Sequence, residues 1–249
     1  SCLEQKMSVL TSVLLFSPHF DAFGLEHRIA DPQGHIKKEL DYIAAQAQED
    51  ASLPFWPGDN YANYYVSLRF AHFLSLAGAR GILPPETEFF SLDRLVEYLD
   101  KPANRPPWYG QDNMLQAYSL YVRSLYGRQP LQELQTLAKA EKLDNASRAL
   151  LGLTALEIGD RSLARKLYTE LKRYFKPGTR GLEIDDAYTG SQGFWGSDIE
   201  RTAISLLFMA SLNPEDEMLT RLTNSLVLRQ NRGAWNSTSS AYWAMLALG

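Results

Sequence analysis

The chain has 249 residues, of which 45% are hydrophobic and 22% charged, with a formal net charge of −4. That length allows a sizeable core, and the composition is ordinary for a globular protein. The acidic balance, without any basic run, speaks against a nucleic-acid partner. Cys2 is the sole cysteine, so no internal disulfide is open to the chain, and four histidines without ligand spacing are too few for a structural zinc site. No run of apolar residues has the length of a membrane span. Because the sequence opens on Ser1, it reads as a piece of a longer protein, with any targeting signal expected outside it.

The opening stretch is Ser1-Cys2-Leu3-Glu4-Gln5. The residues that follow predict a helix, since Met7, Leu10, Leu14 and Leu15 recur at helical spacing and Ser17-Pro18 ends the run. Cys2 then lies at a helix N-terminus, where free N–H groups and the helix dipole stabilise an anion and favour a thiolate. A thiol and a side-chain carboxamide three residues apart can condense with loss of ammonia. The product is an internal thioester, an acylating agent held in reserve.

Further along, residues 32–49 predict an outer, solvated helix with Asp31 as N-cap, Pro32 in the first turn and a narrow stripe of Ile36, Leu40, Ile43 and Ala47. After the loop Leu53-Pro54-Phe55-Trp56-Pro57-Gly58, a helix from Asp59 to about Leu76 is apolar or aromatic nearly all round and is expected to be buried. The alternation repeats. Residues 86–99 predict an amphipathic helix. The Pro-rich loop 102–110, with Trp108-Tyr109, leads to a buried helix over 112–126. Residues 130–143 are polar-faced, 145–158 rich in Ala and Leu, and 161–175 amphipathic. A long loop, 177–196, precedes an apolar helix over 198–212; 214–230 is amphipathic and 237–248 apolar. No convincing strand pattern is present.

The period of outer and inner helices is roughly forty to fifty residues. The expected fold is all-α, an α/α toroid of about six inner and five or six outer helices, with 1–249 as one domain. The loops Gly193-Phe194-Trp195-Gly196-Ser197-Asp198 and Gly233-Ala234-Trp235-Asn236-Ser237-Thr238 share a Gly-x-Trp pattern ahead of inner helices. There Gly permits the turn, Trp plugs the barrel end, and Ser, Asp or Thr caps the helix. Asn145 and Asn236 head formal glycosylation acceptors, but both fall at helix starts, where capping is the favoured role.

With that scaffold in place, Cys2-Leu3-Glu4-Gln5 resembles the thioester motif Gly-Cys-x-Glu-Gln of the alpha-2-macroglobulin and complement family, with Ser1 where the family has Gly. The Leu at the variable position, the Phe55-Trp56-Pro57-Gly58 loop and the two Gly-x-Trp loops look like the bacterial alpha-2-macroglobulins. The resemblance implies a single-use trap rather than a turnover enzyme, an endopeptidase inhibitor. A peptidase cuts a bait segment, the parent molecule rearranges, and a lysine amine of the peptidase attacks the Gln5 carbonyl while the Cys2 sulfur leaves. It also implies Cys2 and Gln5 as the reactive pair, with Glu4 as part of the motif. Beyond the internal thioester it implies no cofactor and no metal. The implied partners are target peptidases and the other domains of the parent chain, in a monomer. The implied location is the periplasm or cell envelope, with a lipoprotein anchor on the parent, or secretion if the source is not bacterial. Complement proteins that favour hydroxyl targets carry a His before the third inner helix. The matching stretch here, Arg105 to Gln111, has none, so amines are the expected targets. Shielding from water is expected of loops at the same end: Tyr109 first, then Trp108, Met114, Trp56 and Tyr61. His72, in an apolar helix, reads as a core or surface histidine, and His19, His27 and His35 carry no assignment.

Two readings from other classes stand beside this one. A toroid carbohydrate-active enzyme would use paired carboxylates at the barrel end, for which Asp59, Asp112 and Asp198 are the candidates, each equally explained as an N-cap. A prenyl transferase would need a zinc site that one Cys hardly furnishes. An interaction module with a dead motif would keep Cys2 as a buried free thiol.

Overall fold

The computed structural model describes residues 1–20, 29–179, 181–185, 196–231 and 233–249. Eleven α-helices, three single-turn 3-10 helices and one two-stranded hairpin form the regular structure of these residues, which makes the fold all-α. The chain divides into two compact units, Ser1–Pro106 (with Gly249) and Pro107–Leu248.

The first unit holds α1 (Leu3–Phe16), α2 (Pro32–Ala44), α3 (Tyr64–Gly78) and α4 (Leu92–Asp100). Helix α1 packs on both α2 and α3, and α3 packs on α4. Leu3, Met7, Leu10 and Leu14 of α1, the Ile36–Leu40–Ile43 stripe of α2 and the apolar body of α3 form its core. Phe70 of α3 meets Phe90 with ring centroids 5.3 Å apart, and the Tyr64 hydroxyl donates to the Leu99 carbonyl at 2.9 Å. As expected, Asp31 caps α2, its Oδ1 accepting from the Gly34 N–H. The helix nevertheless ends at Ala44, before the expected 49, because the chain turns at Gln48–Ser52 with Ala51 at φ 65°.

The expected start of α3 at Asp59 is corrected to Tyr64. Residues 53–63 are pinched into a loop by the Asn63 N–H donating to the Leu53 carbonyl at 2.7 Å and by a bridge between Pro54 and Ala62. Asn63, not Asp59, then caps the helix through Oδ1 to the Val66 N–H. Helix α4 likewise starts at Leu92 under a Ser91 cap, after a turn in which Thr87 and Phe90 exchange hydrogen bonds.

The second unit holds α5 (Asn113–Leu125), α6 (Leu131–Leu137), α7 (Asn145–Glu157), α8 (Arg161–Lys172), the antiparallel strands β1 (Phe175–Gly178) and β2 (Gly181–Ile184), α9 (Asp198–Leu212), α10 (Met218–Leu228) and α11 (Thr238–Leu248). Helix α7 is central: it packs on α5, α8 and α9. At Gly152 a Cβ would collide with the Phe208 ring of α9, so the close approach of these helices requires glycine there. The hairpin is absent from the sequence reading, which placed a loop there. Its segments, Phe-Lys-Pro-Gly and Gly-Leu-Glu-Ile, lack strand alternation. It is held from outside instead: the Leu182 N–H donates to Ser225 Oγ at 2.7 Å and Arg229 donates to the Leu182 carbonyl at 3.0 Å.

Across the chain, the odd-numbered helices α3, α5, α7 and α9 are buried along most of their length. The even-numbered ones each bury a single stripe, as the inner-then-outer pattern expects. None of the described helices is long and apolar enough to cross a membrane.

Candidate functional site

The site is built at the start of α1. Cys2 is its N-cap, with extended backbone angles of φ −69° and ψ 163°. The Gln5 N–H donates to Cys2 Sγ at 3.4 Å, and the Cys2 N–H donates to Gln5 Oε1 at 3.3 Å. This is a reciprocal capping box with sulfur in place of the usual hydroxyl and a carboxamide as its return arm. The first-turn Leu3 N–H is satisfied from afar, donating to the Phe55 carbonyl at 3.0 Å. Cys2 is only 3% exposed, whereas Gln5 is exposed. The sulfur is thus sheltered, while residue 5 lies at the surface.

Beneath the box lies a buried charged cluster. The Arg69 side chain on α3 donates from Nη2 to Glu4 Oε1 at 3.2 Å and to Ser8 Oγ at 3.0 Å. Ser8 Oγ in turn lies 3.1 Å from the Glu4 carbonyl oxygen and 3.2 Å from Glu4 Oε1. Arg69 is 0% exposed, and the Glu4 side chain is nearly as buried. One turn on, His72 is buried too. Desolvation first, and the Arg69 charge second, push its imidazole down to about 3. It is a neutral core histidine across the physiological range, and the surface alternative for it is excluded.

Sequence reasoning brought Cys2, Glu4 and Gln5 together but missed Arg69 and Ser8. One signal pointed to Arg69: an arginine amid Val66, Leu68, Phe70, Phe73 and Leu74 in a helix apolar on every side must find a buried partner. Of the shield candidates in the first unit, Trp56 is half exposed on the loop whose Phe55 carbonyl holds Leu3, and Tyr61 is 85% exposed and off the helix. In the second unit Tyr109 and Met114 are buried and Trp108 is exposed.

Asp112 is spent on capping α5 through the Leu115 N–H, Asp198 pairs with Arg201, and Asp59 lies in the pinched loop. Ser197 caps α9 and Ser237 accepts from the Ser240 N–H, as the Gly-x-Trp loops suggested, while Gly193, Phe194, Trp195 and His27 lie outside the described residues. Capping of α7 by Asn145 is corrected. Asp144 is the cap, and Asn145 is buried, its Nδ2 donating to the Leu171 carbonyl and its Oδ1 accepting from Arg148. Among the described residues no cluster of three or more His, Cys, Asp or Glu side chains is placed to hold a metal ion.

The fold that carries this box is that of the bacterial alpha-2-macroglobulins, over 99% of the chain. Native alpha-2-macroglobulin from Escherichia coli, spanning domain MG7 to the C-terminus, matches with a TM-score of 0.71 at 21% identity. Salmonella alpha-2-macroglobulin reacted with methylamine matches with a TM-score of 0.73 at 18% identity, and trypsin-activated alpha-2-macroglobulin from Escherichia coli with 0.71 at 19%. The chain spans 39% of the first of these chains, and 16% and 17% of the other two. The likeness bears out, at the level of fold, the resemblance read from the opening motif. No family model matches the sequence and no curated protein does.

Proposed function

We propose that this chain is the thioester-bearing domain of a bacterial-type alpha-2-macroglobulin, a covalent trap for peptidases. The observation that carries the reading is the reciprocal box of Cys2 and Gln5, which holds a sheltered sulfur and a carboxamide on one helical turn. Condensation forms a bond from Sγ to the Gln5 side-chain carbonyl carbon and breaks the carbon–nitrogen bond. The amide nitrogen leaves as ammonia, taking the thiol proton. As the tetrahedral centre forms, negative charge grows on Oε1. That oxygen accepts a hydrogen bond from the Cys2 N–H at 3.3 Å, so the helix start supplies a donor on the side where the charge develops. Capture runs the reverse way. An amine attacks the same carbon, an amide forms, the carbon–sulfur bond breaks and Cys2 recovers a proton.

On this reading the parent protein works in the periplasm or cell envelope. The absence of His from Arg105–Gln111 makes amines its preferred targets. The test is intact mass and thiol titration before and after methylamine, with peptide mapping of residue 5. A functional chain is short by one ammonia, has no titratable thiol, and gains a thiol together with a methylamide on Gln5. A carboxylate at position 5 records a thioester that formed and was hydrolysed. A chain at full mass, with a free Cys2, an unmodified Gln5 and no adduct, overturns the proposal.

A further inference from the structure

We propose that Arg69 is a positioning residue for the Cys2–Gln5 pair, acting through a buried lock on the first two turns of α1. The inference rests on the thioester reading and concerns a residue outside its motif.

A charged pair taken out of water is costly, and apolar side chains of the same volume commonly stabilise a core as well or better. Phe70 and Phe73 on the same helix are fully buried nearby, so packing alone does not call for an arginine. What Arg69 supplies is geometry. Its guanidinium reaches across to α1 and binds the side chains of two residues one helical turn apart, at Glu4 Oε1 and Ser8 Oγ. Ser8 Oγ also lies within hydrogen-bonding distance of the Glu4 carbonyl and carboxylate, so backbone and side chain of residue 4 are both tied. Residue 4 stands between Leu3, whose N–H goes to the Phe55 carbonyl, and Gln5, whose N–H goes to Cys2 Sγ. A side chain moves about 100° around the helix axis for each residue of slip. A first turn released at Glu4 therefore carries the Gln5 carboxamide away from the sulfur, and a small misplacement of a reacting pair costs orders of magnitude in rate.

The test separates position from stability. Arg69→Met leaves the Glu4 carboxylate buried without its counter-charge and is expected to lower the melting temperature. The double variant Glu4→Gln/Arg69→Met removes both charges at similar volume and is expected to regain it. Two readouts are taken on the double variant. The first is the methylamine-driven rate of thiol release together with the fraction of chains short by one ammonia. The second is amide hydrogen exchange at Leu3, Gln5 and Lys6, measured by NMR on the methylamine-treated protein, and so available whether or not a thioester ever forms.

With the lock removed, thioester content or release rate changes by about tenfold or more, and the three amides exchange faster while those of α5 and α7 do not. Arg69→Lys, which keeps the charge and loses the fork, falls between the wild type and the double variant. A double variant of restored melting temperature with wild-type exchange at residues 3–6 and wild-type thiol release overturns the inference. If the wild type itself lacks the mass deficit and the adduct, the thioester reading fails on its own. Unchanged exchange at residues 3–6 would then overturn the lock as well.

Discussion

Two helices of this chain begin with the same device, built from side chains of different chemistry. At the start of α1, Cys2 Sγ accepts from the Gln5 N–H and Gln5 Oε1 accepts from the Cys2 N–H. At the start of α9, Ser197 Oγ accepts from the Glu200 N–H at 3.2 Å and Glu200 Oε2 accepts from the Ser197 N–H at 3.3 Å. Both are capping boxes, both place the third helical residue's side chain over the cap, and both satisfy the same orphan donors. The Ser–Glu box is chemically inert, because a hydroxyl is a poor nucleophile and a carboxylate a poor acceptor. The Cys–Gln box pairs a good nucleophile with an uncharged acyl group. A common piece of helix punctuation thus already contains the proximity that acyl transfer needs, and on the proposed reading two side-chain substitutions separate an ordinary cap from a reagent.

The comparison is most sharply broken by Cys2→Ser, which turns the first box towards the second. Covalent uptake of methylamine is expected to vanish entirely, while a hydroxyl cap holds the melting temperature within what about 1 kcal/mol allows. Intact mass and a thermal melt on one preparation check both halves. Gln5→Glu completes the conversion to an α9-like box. The carboxylate at the helix N-terminus suits the dipole, so stability is kept or raised, and thiol titration is expected to find Cys2 free at all times. A Gln5→Glu chain that still took up methylamine would place the acyl group elsewhere.

Acid distinguishes the two boxes next. Beside the first, His72 has a folded value of about 3 against 6.5 when free. Between those values the unfolded chain binds a proton that the folded one refuses. Acidification through that window therefore favours unfolding, by roughly 1 kcal/mol per pH unit from this group. His72→Gln is expected to flatten the dependence of denaturant midpoint on pH across the same window, and an unaltered slope would refute the assignment. The smallest expected effect is at the inert box. Ser197→Ala loses a side-chain cap worth about 1 kcal/mol, seen as a modest shift in denaturant midpoint, with methylamine uptake at Cys2–Gln5 unchanged.

What was legible in the sequence follows from how local each signal is. Helix α9 runs from Asp198 to Leu212 as expected, since its Ser–Glu box and apolar run are contiguous, and Asp112 caps α5 as its position suggested. The juxtaposition of Cys2 and Gln5 was legible for the same reason, as two residues one turn apart. The later start of α3 was not, because the pinch of Leu53–Asn63 depends on Ser67 Oγ accepting from the Leu53 N–H and on a bridge between Pro54 and Ala62. Nor was the hairpin at Phe175–Ile184, whose register is fixed by Ser225 and Arg229 on and just after another helix. Arg69 stood in plain view, but its partner lies 65 residues away and no local pattern announces it.

The hydrogen bond from the Leu3 N–H to the Phe55 carbonyl has a consequence for Cys2 and Gln5. While the chain is still disordered, Cys2 and Gln5 are neighbours in a floppy segment, with no fixed angle between sulfur and carbonyl. In the folded chain the turn that aligns them is anchored to the distant loop through the Leu3 N–H. On the proposed reading, the alignment of sulfur and carbonyl at the start of α1 then depends on a contact with a loop far along the chain.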